Sequence, residues 1–379
     1  MGVLDMFQWN TILVINSKFE LFTFTLDNNG GLLYKIDNSQ LNQNISEEIL
    51  LNNVIRFSTS ISADDVIHLM ALLDDGNLIY SQYRNKIWDK LIIGHFDIRS
   101  NHYHQFEIII VKDILHMIYG YSNLINSNIC TIQHVVYGQS KRHNVIRYIS
   151  SKFPEPFSLD VDDQGIIHLL YPAFHDRNTK IYYTFYNPFT NTWSPSPKLV
   201  SSNIASARYP FLFIDTKNNI HNLWIEESKN KSAIKYHKVN ANGIDKFVWK
   251  EINLSTPSLN MSYPIIFEEK DMLVMQFFSD KTLNTLLSTD LGNTWDTKNN
   301  ECFSDPLVLT KVNTNLRVQE SKIKYGISSL SIPTDLCFFK SYPMLHNKII
   351  LDKGKTEEEK STKGEEVLNK KIPWYRKIF

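Results

Sequence analysis

Short runs of β-branched and aromatic residues alternate with polar residues along the first 300 positions, and Asp, Asn, Gly and Pro separate the runs. Alternation with a period of two predicts strands, and the separating residues are those that turns favour. The pattern is clearest at 157–162, 166–172 and 180–186, where it predicts three strands before a fourth that begins at Trp193. The chain is therefore predicted to be all-β and built from units of four short strands.

The four-strand unit recurs along the chain. A histidine inside an apolar run marks four of the units, and successive histidines are 48, 52 and 53 residues apart. A nearly fixed period of this length is typical of a β-propeller. Because one four-stranded blade cannot bury both of its faces, the six units found between residues 8 and 300 predict a closed ring of six blades. The marker histidines are His68, His116, His168 and His221.

Two further regions follow the repeats. Residues 301–349 contain strand-like runs that either close or cap the propeller or form a degenerate seventh blade. Residues 352–371 hold six acidic and six basic residues and few apolar ones, which is typical of a disordered charged linker. We therefore divide the chain into a six-bladed propeller at 1–300, additional strands at 301–349, and a flexible linker with a short tail at 350–379.

The tail combines aromatic and basic side chains. Such a segment can dock on a partner or a membrane surface, or it can pack back onto the propeller, and the sequence leaves these alternatives open. The residues concerned are Trp374, Tyr375, Arg376, Lys377 and Phe379.

Charge and composition narrow the class of protein. Lys plus Arg and Asp plus Glu both total 40, so net charge gives no attraction to nucleic acid. The three cysteines, Cys130, Cys302 and Cys337, provide neither a disulfide framework nor a Cys-x-x-Cys pair, which fits a reducing compartment, and we predict no metal site and no cofactor. Without a basic region at the N-terminus or a long apolar run, we expect a cytoplasmic protein with no transmembrane segment. Frequent Asn, Ile and Lys are typical of a low-GC bacterium.

One motif points to a family. Residues 288–295 read Ser-Thr-Asp-Leu-Gly-Asn-Thr-Trp and match the Ser-x-Asp-x-Gly-x-Thr-Trp pattern of the Asp-box. Over residues 1–300 the chain resembles the sialidase-like, Asp-box (BNR-repeat) β-propellers by its period and by this one complete box. In that family the box is a hairpin away from the active site. The resemblance thus implies a structural role for Ser288, Asp290, Gly292, Thr294 and Trp295.

The resemblance does not extend to the catalytic residues. Sialidases hold a substrate carboxylate with three arginines and carry an Arg-Ile-Pro segment near the first blade. The nearest segment here is Arg208-Tyr209-Pro210, which precedes the fifth blade, and only Arg56 and Arg208 stand before the first strand of a blade. A three-arginine clamp for a planar carboxylate is therefore not evident, and we expect a non-catalytic member.

The marker histidines suggest a ring of metal ligands only at first sight. Equivalent positions on different blades are related by rotation, so side chains in mid-strand need not converge. We expect each histidine to pack between blades and to bond a backbone partner, because buried polar groups normally find one.

Ligands of propellers usually bind at the axial mouth, which is formed by the segments before the first strands and by the loops between second and third strands. Carboxylates, arginine and tyrosine there suit a sugar or an acidic ligand, because rings stack on tyrosine and hydroxyls pair with charged groups. The alternative is that they are solvated loop charges. The ligand-binding candidates are Glu155, His175, Arg177, Arg208, Tyr209 and Tyr263, and the carboxylates available to an enzyme are Asp176, Glu226, Glu227 and Asp280.

Three functions follow from these observations. We favour a non-catalytic binding module that recognises a glycan or a protein at the axial mouth, because the blades are regular and the arginine clamp is missing. The first alternative is a glycoside hydrolase that uses two of the mouth carboxylates. The second is a structural scaffold of a cell-envelope or spore assembly.

Overall fold

The structure is a computed structural model that describes residues 10–336, with gaps at 19, 39–42, 45–46, 140–141, 151–154, 203–204, 229–230, 241–247, 253, 255–260, 280–281, 299–300, 303–306, 317–320 and 330–331. All regular secondary structure in these ranges is β-strand. Among the described residues, no helix has the length and apolar character needed to cross a bilayer.

Six antiparallel sheets follow one another along the chain, and each is a blade whose strands pair in sequence order. The prediction of an all-β propeller with six four-stranded blades is confirmed. In blades 1, 4 and 6 the fourth position is divided between two short strands. Blade 1 contains β1 (Thr11–Ile15), β2 (Leu21–Leu26), β3 (Leu32–Asn38), β4 (Gln43–Asn44) and β5 (Glu48–Leu51); blade 2 contains β6 (Val54–Ile61), β7 (Ile67–Leu73), β8 (Asn77–Arg84) and β9 (Ile87–His95); and blade 3 contains β10 (Asn101–Val111), β11 (Ile114–Asn123), β12 (Ile129–Val136) and β13 (Arg142–Ile149).

The remaining blades repeat this arrangement. Blade 4 contains β14 (Ser158–Val161), β15 (Ile167–His175), β16 (Asn178–Asn187), β17 (Thr192–Trp193) and β18 (Lys198–Leu199); blade 5 contains β19 (Ser206–Ile214), β20 (Ile220–Ser228), β21 (Lys231–Val239) and β22 (Trp249–Ile252); and blade 6 contains β23 (Met261–Glu269), β24 (Met272–Ser279), β25 (Thr282–Ser288), β26 (Asp296–Thr297) and β27 (Glu301–Cys302).

Neighbouring blades pack through their apolar faces. The second strands β7 and β15 are buried over most of their length because a blade covers each face, whereas the outer strands β9 and β13 are largely exposed. At three interfaces a tryptophan at the fourth strand meets, edge-on, a tyrosine of the third strand in the preceding blade. The ring centroids are 5.7 Å apart for Trp88 and Tyr34, 5.0 Å for Trp249 and Tyr183, and 5.5 Å for Trp295 and Tyr236.

The marker histidines bond side chains of their own blades. His68, His168 and His221 lie 2.7, 2.6 and 2.7 Å from the hydroxyls of Tyr80, Tyr183 and Tyr236, and His116 Nδ1 lies 2.9 Å from Nε2 of His134. The expectation of a backbone partner was therefore wrong, because the third strand places a tyrosine or histidine beside each imidazole. Each of the four imidazoles therefore has its own side-chain hydrogen-bond partner.

The segment after blade 6 runs along the propeller axis. It contains β28 (Leu307–Thr314), β29 (Ser321–Lys322), β30 (Tyr325–Ser329) and β31 (Ile332–Leu336). β28 pairs in parallel with β1, and β29 pairs with β23. Side chains of the same segment bond β6, β10, β14 and β19.

Residues 307–316 and 321–329, which we call the axial segment, therefore contact the first strand of every blade. Only a segment on the axis can do so, and it occupies the central channel instead of forming a seventh blade. The proposed division of the chain at residues 300 and 349 stays a prediction, since residues 337–379 lie outside the described ranges.

Candidate functional site

Five of the sequence candidates meet at one end of the axis. Arg208 Nε donates to Oε1 of Glu155 at 2.9 Å, and its Nη1 lies 3.4 Å from Oε1 of Glu227. Glu155 precedes blade 4, whereas Arg208 and Glu227 lie at the paired ends of β19 and β20. The guanidinium group thus ties two blades together while the side chains of Arg208 and Glu227 remain 39% and 40% exposed.

Two tyrosines complete this cluster. Tyr209 and Tyr263 occupy matching places in β19 and β23, each before a proline and each within a β-bulge. Their rings are 5.0 Å apart, and the Arg208 guanidinium carbon lies 4.9 Å from the Tyr209 ring centroid. The Tyr209 N–H also donates to Oε2 of Glu155 at 2.8 Å. We call Glu155, Arg208, Tyr209, Glu227 and Tyr263 the mouth platform.

The backbone of the platform is strained. Tyr209 and Tyr263 have φ values of 56° and 53°, in the left-handed region that bulky side chains avoid. Among the described residues other than glycine, these two are the only ones inside strands with positive φ; the others lie in turns. Each such residue costs about 1–3 kcal/mol and persists only where its surroundings impose it, commonly at functional sites.

Burial shapes the electrostatics of the platform. It raises the pKa of the Glu155 carboxyl, although the Tyr209 N–H and the Arg208 guanidinium both favour the charged form. Below the tyrosines lies a pocket of about 30 Å³, whose walls include Pro156, Pro210, Pro264 and, from the axial segment, Leu309 and Tyr325. The axial segment therefore forms part of the floor, and a ligand larger than water would lie on the platform.

The other mouth candidates have different surroundings. His175, Asp176 and Arg177 form the exposed hairpin turn between β15 and β16, and Asp176 and Arg177 have φ values of 46° and 70°. Glu226 is buried, and its Oε1 accepts hydrogen bonds from the Ser202 N–H at 2.9 Å and from the Trp224 indole at 3.2 Å. That carboxylate therefore supports the segment that leads into blade 5. Asp280 lies outside the described residues.

The predicted Asp-box forms a tight turn in blade 6. Asp290 accepts hydrogen bonds from the backbone N–H groups of Asn293 and Thr294 and from the Ser288 and Thr294 hydroxyls. Burial opposes ionisation of Asp290, but the bonds from Thr294 and Ser288 outweigh it and lower its pKa to about 2. Gly292 has a φ of 86°, and a Cβ there would lie 2.1 Å from the Tyr236 hydroxyl. The turn thus fixes blade 6 against blade 5.

A chamber of about 220 Å³ beside the axial segment contains charges that the sequence analysis missed. Lys311 pairs with Glu107, Lys322 bonds Asp160, and Lys324 donates to the Leu212 carbonyl at 2.9 Å. Burial opposes the charge on Asp160, but Lys322 and Lys324 overcome this effect and lower its pKa. Burial also lowers the pKa of Lys324 to about 8, against the attraction of Asp160. The sequence feature that could have indicated these buried charges is Lys311, a lysine within the largely apolar run 307–312.

No group of three or more His, Cys, Asp or Glu side chains in the described ranges could hold a metal ion. The aromatic-basic tail, Trp374, Tyr375, Arg376, Lys377 and Phe379, lies outside those ranges, so its docking role stays a prediction.

No family model matches the sequence, and no curated protein matches it either. Similar solved structures include the SapL1 lectin in complex with alpha methyl fucoside, at 9% identity and a TM-score of 0.43, covering 78% of this chain and 96% of that one. The Aleuria aurantia lectin in complex with Fucα1-6GlcNAc is 13% identical, with a TM-score of 0.41 and coverage of 79% and 97%. A thermostable family-43 glycoside hydrolase is 12% identical, with a TM-score of 0.37 and coverage of 67% and 95%.

Proposed function

We propose that this propeller is a non-catalytic binding module that recognises a glycan on the mouth platform. The observation that carries the proposal is the pair of strained tyrosines, Tyr209 and Tyr263, held side by side in neighbouring blades. Backbone strain that recurs at matching places, and that leaves the Tyr209 ring partly exposed beside the buried Tyr263 ring, is more readily explained by binding than by folding, because folding alone would favour relaxed residues.

The chemistry of the platform suits a sugar. Aromatic rings offer a face for the C–H groups of a pyranose, and fixed charged groups bind its hydroxyls. Arg208 and Glu227 are partly exposed but already held by their mutual contact, so little side-chain entropy would be lost when a ligand binds. The small volume beneath the tyrosines supports recognition of an exposed residue of a glycan at the surface.

A second candidate function rests on one feature of the same cluster. Glu155 is buried and has a raised pKa, whereas Glu227 is partly exposed, and pairs of carboxylates in unlike environments serve glycoside hydrolysis. The Arg208 guanidinium group, however, favours the charged form of Glu155. A general acid must hold a proton, so this arrangement favours binding over hydrolysis.

A glycan array probed with the wild-type protein and with Tyr209→Ala tests the proposal. Phe189→Ala is the control, because Phe189 is a 72% exposed ring in the turn between β16 and β17. We expect selective binding that Tyr209→Ala weakens by about tenfold or more and Phe189→Ala leaves unchanged. If the wild-type protein cleaves glycans from the spots to which it binds, and Glu155→Gln does not, the hydrolase is supported instead. The absence of any glycan bound by the folded wild-type protein would overturn the proposal and favour a protein partner.

A further inference from the structure

The Arg208 guanidinium group has little capacity left to hold a carboxylate. Its Nε donates to Glu155 at 2.9 Å, and its Nη1 lies 3.4 Å from Oε1 of Glu227. A bidentate grip on a ligand carboxylate takes two parallel N–H groups from two nitrogens of one guanidinium group. Any such pair includes Nε or Nη1, and both of these already face a carboxylate oxygen of the protein. Nη2 bonds none of the residues that the structure describes, so it is the donor left for a ligand.

Glu227 provides a hydrogen-bond acceptor beside that donor. Its side chain is 40% exposed, and among the described residues the only hydrogen bond or ion pair of its carboxylate is the contact of Oε1 with Arg208. Its Oε2 is therefore open to a ligand. Glu155 differs, because its side chain is 11% exposed and its two oxygens accept hydrogen bonds from Arg208 Nε and from the Tyr209 N–H. The mouth platform thus presents one guanidinium donor and one carboxylate acceptor to a ligand.

The charges of these three groups do not balance at the exposed surface. Arg208 makes its shorter contact with the largely buried Glu155, so the positive charge of Arg208 is offset there. The exposed charge that remains is the Glu227 carboxylate. A ligand carboxylate placed against Glu227 would be repelled, because like charges oppose each other strongly where water is partly excluded. A sugar hydroxyl carries no charge, and it can donate to a carboxylate or accept from a guanidinium group.

We propose that the mouth platform selects glycans whose recognised sugar has no carboxylate, and that Glu227 is the residue that excludes acidic sugars. Because it concerns the glycan-binding site itself, this selectivity rests on the proposed function. One hydroxyl accepts from Arg208 Nη2, a neighbouring hydroxyl donates to Glu227 Oε2, and the sugar ring lies beside Tyr209. The ammonium group of an amino sugar also pairs with Glu227, since hydrogen bonds between charged groups are strong.

A series of sugars that differ in charge tests this selectivity on the glycan array. The array carries glucosides, glucosaminides and glucuronides, the corresponding galactose set, and lactose beside sialyllactose. We expect the bound glycans to end in neutral or amino sugars, and each acidic counterpart of a bound glycan to bind about tenfold more weakly or less. Sodium chloride at about 0.5 M should narrow that ratio, because salt screens partly exposed charges, whereas exclusion by shape would not respond to salt.

Two variants assign the selection to Glu227. Glu227→Gln keeps the length of the side chain and an acceptor oxygen but removes the charge, so acidic glycans should bind within about threefold of their neutral counterparts. Glu251→Gln is the control, because Glu251 is 49% exposed on β22 of the same blade and pairs with Lys235 at 2.7 Å. The control should leave the ratio of neutral to acidic binding unchanged.

The array distinguishes a failure of this selectivity from a failure of glycan binding. Acidic glycans that bind as tightly as their neutral counterparts would overturn the selectivity and leave glycan binding at the mouth in place. The same follows if the preference for neutral glycans persists unchanged in Glu227→Gln. If the folded wild-type protein binds no glycan at all, the proposed function itself is overturned, and the selectivity with it.

Discussion

Lys322 donates hydrogen bonds to both carboxylate oxygens of Asp160, at 3.1 and 3.0 Å, across 162 residues of sequence. Asp160 also accepts the Ile214 N–H at 2.9 Å, so one buried carboxylate joins blade 4, blade 5 and the axial segment. The Asp160 side chain is buried, so these partners, rather than water, stabilise its negative charge.

Replacement of Asp160 by Asn should therefore lower the free energy of unfolding by about 3 kcal/mol, because it leaves the Lys322 ammonium group without its carboxylate. Urea denaturation followed by tryptophan fluorescence measures the change. Asp271→Asn is the control, since Asp271 forms an exposed ion pair with Lys217 at 3.6 Å and should cost less than about 1 kcal/mol. Equal losses in the two variants would show that the axial segment is not held by this contact.

Gly292→Ala should lower the free energy of unfolding by more than the strain of a positive φ at an alanine accounts for. The new methyl group would lie 2.1 Å from the Tyr236 hydroxyl, which also bonds His221. Gly138→Ala is a matched control, because Gly138 has a φ of 79° and open space around its would-be Cβ. We expect a loss of about 3 kcal/mol for Gly292→Ala and about 1 kcal/mol for Gly138→Ala in thermal unfolding. Similar losses would contradict the close contact between blades 5 and 6.

Buried histidines should make the fold sensitive to mild acid. Burial lowers the pKa of His116 from its ordinary 6.5 to about 4, so the unfolded chain binds a proton more readily than the folded one. The contribution of neutral His116 to stability is therefore fully present above pH 6.5 and is lost as the pH falls to about 4. Between pH 7 and 5 this amounts to about 2 kcal/mol.

His116→Gln should remove that part of the pH dependence, which urea titrations at pH 7 and 5 measure. Ser58→Ala is the control, because Ser58 is buried and accepts the Ile108 N–H but does not titrate. The control should lower stability by the same amount at both pH values. A pH dependence that is the same in His116→Gln as in the wild type would contradict a neutral buried imidazole.

The blades could be predicted from sequence because their signals are local. The strand alternation and the turn residues lie within each unit, and the marker histidines recur every 48 to 53 residues, so pattern and period reveal the blades. The axial segment could not be placed in this way, because β28 pairs with β1 across almost the whole chain and no local pattern encodes that register. The sequence alone does not show that Lys311, Lys322 and Lys324 are largely buried. Their burial becomes evident only when the first strands that face them are known.

The mouth candidates show the same limit. Arg208, Tyr209, Tyr263 and Glu155 come together because they stand at nearly equivalent places at the start of neighbouring blades, Glu155 before β14 and the other three within β19 and β23. Glu226 and Glu227 are adjacent in sequence but point to opposite faces of β20, and only the strand register decides which one faces Arg208.

The most direct test of the central claim is the position of a bound glycan. A crystal structure of the protein with the strongest ligand from the array should show a sugar ring against Tyr209, with hydroxyls bonded to Arg208 and Glu227. A glycan bound elsewhere, with the mouth platform unchanged and solvated, would contradict the assignment of this surface as the recognition site.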